Sequence, residues 1–83
     1  MKTFTSSIHS PEYIWLRQYF VKQRKELGLS QRALAERLGV IHSFVGKVET
    51  GDRKLDIFEF IQYCEALNLD VNKVIIDLKN FNN

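Results

Sequence analysis

The sequence predicts a small all-α domain of five helices. Apolar residues recur at intervals of three and four, most clearly in the stripe Ile57, Phe60, Ile61, Cys64 and Leu67, and this spacing places them on one helix face. Glycines stand where several such segments end, as expected of residues that adopt the left-handed backbone of a helix C-cap. No segment shows the alternation of apolar and polar residues that predicts a strand. A chain of 83 residues forms one domain, which depends on good helix packing or on self-association for its stability.

Capping residues mark the beginnings of the helices. Ser10 and Ser30 stand before the first and second helix, and Asp70 stands before the fifth. Asp56, with Glu59 three residues later, has the pattern of a capping box before the fourth. The predicted helices span residues 11–27, 31–38, about 41–50, 57–67 and 71–79. The domain is expected over residues 11–79, with a flexible N-terminal tail at 1–10 and a C-terminal tail at 80–83.

The third helix has the weakest local support. Ile41 stands where a capping Ser or Thr is commoner, so the first turn has no obvious side-chain acceptor. Gly46 lowers the helix propensity by about 1 kcal/mol relative to alanine. The apolar residues Val45 and Val48 must therefore hold this helix by packing against the rest of the domain.

The charge of the chain is unevenly distributed. The net charge is only +2, but residues 1–54 carry ten Lys and Arg and five Asp and Glu, a net charge of +5. Residues 55–83 carry two Lys and five acidic residues, a net charge of −3. A basic N-terminal part indicates a polyanionic partner such as nucleic acid.

The sequence also disfavours several classes of protein. The single cysteine, Cys64, forms neither an internal disulfide nor a zinc site, fits a reducing cytoplasm, and is expected in the core. No signal peptide, lipidation motif or long apolar span is present, so no membrane association is expected. There is no nucleophile elbow, phosphate-binding loop, metal-ligand cluster or pair of catalytic acids. We therefore expect no enzyme, no cofactor and no metal site.

One stretch of the chain has the spacing of a helix-turn-helix. Two helical segments follow each other across Gly39, and the small residues Ala33 and Ala35 allow the helices to approach closely. The matching residues are Leu29-Ser30-Gln31, Leu34-Ala35, Leu38-Gly39-Val40, Val45, Glu49-x-Gly51-x-Arg53 and Ala66-Leu67. Over roughly residues 20–78 the chain resembles the Cro/CI-type helix-turn-helix regulators, also called the Xre or lambda-repressor-like family. The resemblance implies a compact five-helix DNA-binding domain, a cytoplasmic location, and transcriptional control by a dimer on an operator.

The resemblance also implies which residues contact DNA. The third helix, about residues 41–50, would lie in the major groove, where its N-terminal residues reach base edges. Lysine suits guanine acceptors, and Phe44 would touch a thymine methyl group. At the start of the second helix, free N–H groups favour a phosphate near Gln31. The predicted DNA-binding residues are Gln31, Arg32, His42, Ser43, Phe44, Lys47, Arg53 and Lys54.

Two further sets of residues complete the expected regulator. Arg24 and Glu49 resemble the ion pair that joins the first and third helices in this family, a structural pair that orients the third helix. The apolar residues Ile75, Leu78 and Phe81 near the C-terminus exceed what one small core needs, so we expect them to form a homodimer interface. The DNA partner is then double-stranded DNA carrying an inverted repeat.

Alternatives remain open at this point. For each predicted contact residue, the alternative role is that of a solvated side chain or one that only supports the fold. For Arg53 and Lys54, this alternative is a solvated charge pair near Asp52 and Asp56. The rival function is a protein-interaction module, such as a toxin-binding antitoxin that binds DNA weakly, because several aromatic residues are predicted to be exposed. These aromatic residues are Tyr13, Trp15, Phe58 and Tyr63. Among DNA-binding regulators, an antitoxin, a restriction–modification controller and a phage-type repressor are not distinguished.

Overall fold

The computed structural model describes residues 9–81, which form five helices and no strand. The helices are α1 (Pro11–Glu26), α2 (Gln31–Leu38), α3 (Ser43–Thr50), α4 (Ile57–Ala66) and α5 (Val71–Asn80). The prediction of an all-α, five-helix domain is confirmed. Most of the predicted N-terminal tail, residues 1–8, lies outside the described residues.

Four of the five helices have the predicted limits to within one residue. α1 and α4 end one residue earlier than predicted, because Leu27 and Leu67 already serve as their C-caps. α5 runs one residue further, to Asn80, because no glycine or proline follows to end it. The ring of Phe81 then lies 5.7 Å from that of Trp15 between centroids. Residues 80 and 81, which were predicted to begin the C-terminal tail, are thus the last residue of α5 and its C-cap.

The start of α3 differs most from the prediction. The helix was predicted from about Ile41 but begins at Ser43, and His42 before it makes no side-chain capping bond. The Ile41 carbonyl accepts a hydrogen bond from the Phe44 N–H at 3.0 Å, so one tight turn precedes the helix. The Val40 N–H still bonds to the Ala35 carbonyl of α2, so the connection takes up residues 39–42 and α3 begins only after it, without a side-chain cap.

The other helix starts are capped as the sequence indicates. Ser10 and Ser30 each accept a hydrogen bond from the backbone N–H three residues later, at 3.2 and 3.0 Å. Asp56 and Glu59 make the two reciprocal bonds of a capping box, at 2.8 and 3.0 Å. The Asp70 side chain accepts a hydrogen bond from the backbone N–H of Asn72 at 2.9 Å. These bonds satisfy N–H groups that would otherwise have no partner at a helix end.

All five helices contribute to one apolar core. Its buried residues are Phe20, Leu34, Ala35, Val45, Val48, Phe60, Tyr63, Cys64, Leu67 and Val74. The Cys64 side chain is fully buried as predicted, and burial raises the pKa of its thiol to about 11. A thiol with this pKa stays protonated at neutral pH and acts as a small apolar side chain.

Tyr63 is buried, and the prediction that its ring is exposed is wrong. Its ring lies 4.8 Å from that of Phe20 between centroids, because the buried face of α4 is rotated from the stripe read from the sequence: it includes Tyr63, whereas Ile57 and Ile61 are 59% and 36% exposed. The Tyr63 hydroxyl has no hydrogen-bond partner among the described residues. Burial raises the pKa of this hydroxyl above its usual value. A buried hydroxyl without a partner has lost its hydration with no hydrogen bond in exchange.

We expect Tyr63→Phe to leave the free energy of unfolding unchanged or to raise it by up to about 1 kcal/mol, since it removes an unpaired buried hydroxyl. Tyr13→Phe is the matched control, because the Tyr13 hydroxyl accepts a hydrogen bond from the Leu55 N–H at 3.0 Å. The control should lower the free energy of unfolding by about 1 kcal/mol. Urea denaturation of both variants measures the difference. An equal loss in the two variants would show that the Tyr63 hydroxyl is hydrogen-bonded.

Candidate nucleic-acid interface

α2 and α3 form a helix pair joined by the four residues 39–42. Gly39 has a φ of +71°, a left-handed value that glycine adopts without a Cβ clash. The Val40 N–H donates to the Ala35 carbonyl at 3.1 Å, which ties the connection to the last turn of α2. α3 packs on the domain through Val45 and Val48, both buried. The connection and these two valines together set the position of α3.

The side of α3 opposite to the valines is exposed. Ser43, Lys47 and Thr50 are exposed and recur at helical spacing, with Gly46 between them. The position that a Cβ of Gly46 would take lies 3.4 Å from the side-chain oxygen of Gln31, so the beginning of α2 borders this surface. We call Ser43, Gly46, Lys47 and Thr50 the outer face of α3. A single helix presented in this way has the width that the major groove of DNA admits.

The Glu49 carboxylate joins α1, α2 and α3. Arg24 of α1 donates from Nε to Oε2 at 2.6 Å and from Nη2 to Oε1 at 3.0 Å, and the two side chains are 10% and 8% exposed. Gln31 of α2 donates from Nε2 to Oε1 at 3.0 Å. The hydrogen bonds to Glu49 raise the pKa of Arg24 further above its usual value. A bidentate, nearly buried pair restrains α3 relative to both other helices.

The C-terminal end of α3 lies against Arg17 of α1. Gly51 is buried and has a φ of +88°, and the Arg17 Nη1 lies 2.7 Å from the position that a Cβ would occupy. A guanidinium at the carbonyl end of a helix has a favourable interaction with the helix dipole. Arg17 was not among the functional residues predicted from the sequence. The sequence did hold a signal for Arg17: it precedes Arg24 by seven residues, and this spacing places both arginines on the same face of α1.

Two glycine substitutions in and after α3 should have opposite effects. Gly51→Ala should lower the free energy of unfolding by about 1–3 kcal/mol, because alanine is strained at this φ and its Cβ displaces Arg17. Gly46→Ala should raise it by up to about 1 kcal/mol, because it improves helix propensity and meets only the end of the flexible Gln31 side chain. Urea denaturation tests both variants. A comparable loss in Gly46→Ala would mean that the Gln31 side chain cannot move to admit the added Cβ.

The loop after α3 is held by Arg53. Its guanidinium donates to the two Glu59 carboxylate oxygens at 3.1 and 2.7 Å, and its Cζ lies 4.6 Å from the centroid of the Phe44 ring. Its backbone N–H donates to the Lys47 carbonyl at 3.1 Å. Hydrogen bonding between the two side chains raises the pKa of Arg53 and lowers that of Glu59. The acidic partner of Arg53 is thus Glu59 of α4, not the nearby Asp52 or Asp56 considered from the sequence.

The residues predicted to contact DNA fall into two groups. Six are exposed: Gln31, Arg32, His42, Ser43, Lys47 and Lys54. Ser43 and Lys47 share the outer face of α3, and His42 precedes it. Phe44 and Arg53 are partly buried and stack on each other, and Phe44 also packs against the core. These two side chains therefore already have partners within the domain, as does exposed Gln31, whose side chain donates to Glu49.

From the sequence, Ile41 was expected only to be a poor helix cap. In the structure its side chain is 73% exposed in the turn directly before His42. The signal in the sequence was a large apolar residue in a short connection between two helices, where polar residues are usual. A fully apolar side chain at this place belongs to the exposed surface around the start of α3.

Within residues 9–81, no group of three or more His, Cys, Asp or Glu side chains is close enough together to hold a metal ion. In the same part of the chain, none of the helices has the length and apolar character required to cross a membrane.

Comparison with known proteins identifies relatives of this arrangement. Residues 21–74 match the family model described as helix-turn-helix. The chain is similar to the solved structure of an XRE-family like protein from Pseudomonas syringae pv. tomato str. DC3000, with 33% identity, a TM-score of 0.84, and 92% of this chain and 93% of that chain covered. It is also similar to the restriction-modification controller protein C.AhdI from Aeromonas hydrophila, with 30% identity, a TM-score of 0.67, and 74% and 92% covered.

The clp gene regulator ClgR from C. glutamicum shares the fold at 21% identity, with a TM-score of 0.73 and 90% and 97% of the two chains covered. No curated protein sequence matches significantly.

Proposed function

The chain belongs to the Xre-type helix-turn-helix family of DNA-binding transcriptional regulators, and we propose that it binds a specific duplex sequence as a homodimer with α3 in the major groove. This proposal adds three things to the family assignment: the groove-facing helix, the residues that contact DNA, and the dimer.

The exposed outer face of α3 is the observation that carries the proposal. Behind this face, buried valines and the Arg24–Glu49 pair hold α3, and Arg17 lies against its C-terminal end. A rigid helix limits the entropy lost on binding and holds each contact in register. The net charge of +5 on residues 1–54, which contain this helix, favours association with phosphates.

We assign base contacts to the exposed residues at and before the start of α3. Lys47 on the outer face has the donor that guanine acceptors require, and Ser43 pairs with either kind of base-edge group. His42 lies in the turn immediately before them. Gln31 and Arg32 at the beginning of α2, together with Lys54, are assigned to phosphates, since donors and positive charge suit the DNA backbone.

Arg53 and Phe44 have supporting roles in this proposal, in place of the direct DNA contacts that the resemblance implied. The Arg53 charge is paired with Glu59, and its guanidinium covers the Phe44 ring. Through these contacts the Arg53 side chain fixes the loop that follows α3. Arg53 is thus a positioning residue for the loop that contains Lys54.

The salt dependence of DNA binding tests the proposed function. With a duplex selected by this protein from random-sequence DNA, log affinity should fall linearly with log salt, by about 0.9 for each phosphate neutralised. Arg32→Gln should make the slope shallower by about 0.9. Lys79→Gln, a loss of the same charge at an exposed site on α5, should leave it unchanged. A flat salt response of the wild type would contradict DNA binding as the function.

The proposed dimer interface lies along α5. Ile75 and Phe81 are 37% and 38% exposed, and Leu78 is half-buried. Ile75 and Leu78 line one side of an apolar cavity of about 300 Å³ between α5, α1 and the beginning of α4. Packing of this surface on a second copy about a two-fold axis would place the two α3 helices about 34 Å apart, on an inverted repeat.

We expect the wild type to sediment as a dimer at about tens of micromolar without DNA. Ile75→Lys should sediment as a monomer, because it places a charge inside an apolar interface. Ile76→Lys is the matched control: Ile76 is its neighbour on α5, is 55% exposed, and does not line the cavity, so this variant should remain a dimer. A monomeric wild type would argue against the interface.

A second candidate function is supported by the beginning of α4. Phe58 and Ile57 there are 74% and 59% exposed, and exposed aromatic residues are enriched at protein interfaces. A protein-interaction module, for example an antitoxin that holds a toxin, would use this surface. Co-purification of a protein partner without DNA, lost on Phe58→Ser, together with salt-insensitive DNA binding would favour this function over the first.

A further inference from the structure

Ile41 has an exposed apolar side chain at the place where α3 begins. The residue is 73% exposed, whereas its neighbour Val40 lines a small cavity together with Leu38 and Phe44. Ile41 is absent from that cavity and from the core cluster. The packing of the domain therefore gives no reason for an isoleucine at this position.

The backbone around Ile41 is well defined. The Ile41 carbonyl accepts the Phe44 N–H at 3.0 Å, and the residue before it is tied to α2 by the 3.1 Å bond from the Val40 N–H to the Ala35 carbonyl. The side chain consequently projects from an ordered turn, two residues before Ser43 on the outer face of α3. A branched side chain on such a turn loses little conformational freedom when it meets a surface.

We propose that Ile41 contacts the C5-methyl group of a thymine in the major groove, and so selects a T·A pair at one position of each half-site. The inference rests on the proposed function, because it requires α3 in the groove. Thymine carries the only methyl group that unmodified base pairs display there, and it is recognised by apolar contact. The prediction from the sequence gave this contact to Phe44, but that ring lies under Arg53 and against the core. Ile41 has the same chemistry and is exposed.

Removing the methyl group from the DNA and the side chain from the protein tests the contact. Starting from a duplex selected by the wild type, each thymine is replaced singly by deoxyuridine, which lacks only the methyl. At one thymine per half-site, we expect the wild type to bind about fourfold more weakly, the effect of about 0.8 kcal/mol for one buried methyl-sized group. Ile41→Ala should bind the thymine duplex more weakly and be insensitive to deoxyuridine at that position alone.

Two variants serve as controls. Ile41→Val retains a branched apolar side chain and should keep most of the sensitivity to the methyl group. Ile76→Ala removes an exposed isoleucine from α5 and should behave as the wild type. Because Ile41 is exposed, its alanine variant should unfold at the same urea concentration as the wild type.

The outcomes separate this inference from the proposed function. If no duplex is enriched by selection, the proposed function fails. If a duplex is enriched and its binding depends on salt, but deoxyuridine has no effect at any thymine, only the thymine contact fails. The inference is also overturned if Ile41→Ala keeps the wild-type sensitivity at every thymine, or weakens all duplexes equally.

Discussion

Glu49→Ala should lower the free energy of unfolding by about 2–4 kcal/mol and weaken DNA binding in the folded protein. The substitution leaves the Arg24 guanidinium, which is 10% exposed, without its two carboxylate bonds. It also removes the acceptor of the Gln31 side chain at the beginning of α2. Because both neighbouring helices hold α3 through this one carboxylate, its loss affects stability and the orientation of the outer face together.

The exposed ion pair of α5 provides the control for this prediction. Lys73 and Asp77 pair at 3.2 Å with side chains 69% and 32% exposed, so Asp77→Ala should cost no more than about 0.5 kcal/mol. Urea denaturation gives the stability of both variants, and DNA affinity is measured well below the denaturation midpoint. If both variants lost the same small amount of unfolding free energy, the Arg24–Glu49 pair would be solvated. A large loss of stability with unchanged DNA affinity would show that the pair does not orient α3.

Lys47→Ala should reduce the preference for a selected duplex over a random one by about 5- to 150-fold, or about 1–3 kcal/mol. Lys47 is exposed on the outer face of α3, where a base contact distinguishes sequences. Arg53→Ala should weaken binding to both duplexes alike, because it loosens the loop after α3 without removing a base contact. Its salt dependence should stay that of the wild type, because the Arg53 charge is already paired with Glu59.

Both variants must be measured on the same pair of duplexes at several salt concentrations. If Lys47→Ala weakened both duplexes equally while Arg53→Ala reduced the preference, the outer face would not be the surface that reads bases. If the salt slope of Arg53→Ala were shallower by about 0.9, Arg53 would contact a phosphate, as the resemblance implied.

The number of helices and most of their limits follow from the sequence alone, because they depend on local chemistry. Ser10, Ser30 and the Asp56–Glu59 box act on backbone groups at most three residues away, so the helix starts that they mark do not depend on how distant helices pack. The start of α3 shows the limit of this reasoning. The apolar residue at position 41 was included in the helix by its spacing, but in the structure it belongs to the connection from α2, and α3 begins two residues later.

The Arg24–Glu49 pair came from the resemblance to a family, and the structure brings these two side chains together. Local pattern alone does not identify such a pair, since its members are 25 residues apart and many acids and bases lie between them. Gln31 was singled out for DNA, but its third-helix partner became visible only with α2 and α3 in place.

The sequence by itself determined the five helices, the helix-turn-helix and the basic part that contains it. Tertiary structure alone decided that Arg53 pairs with Glu59 above Phe44, that Tyr63 is buried, and that Ile41 is exposed. The physical reason is the range of the interactions. Caps and helix periodicity act within about one turn, whereas the partner of a long side chain and the burial of a ring depend on how helices distant in sequence pack together.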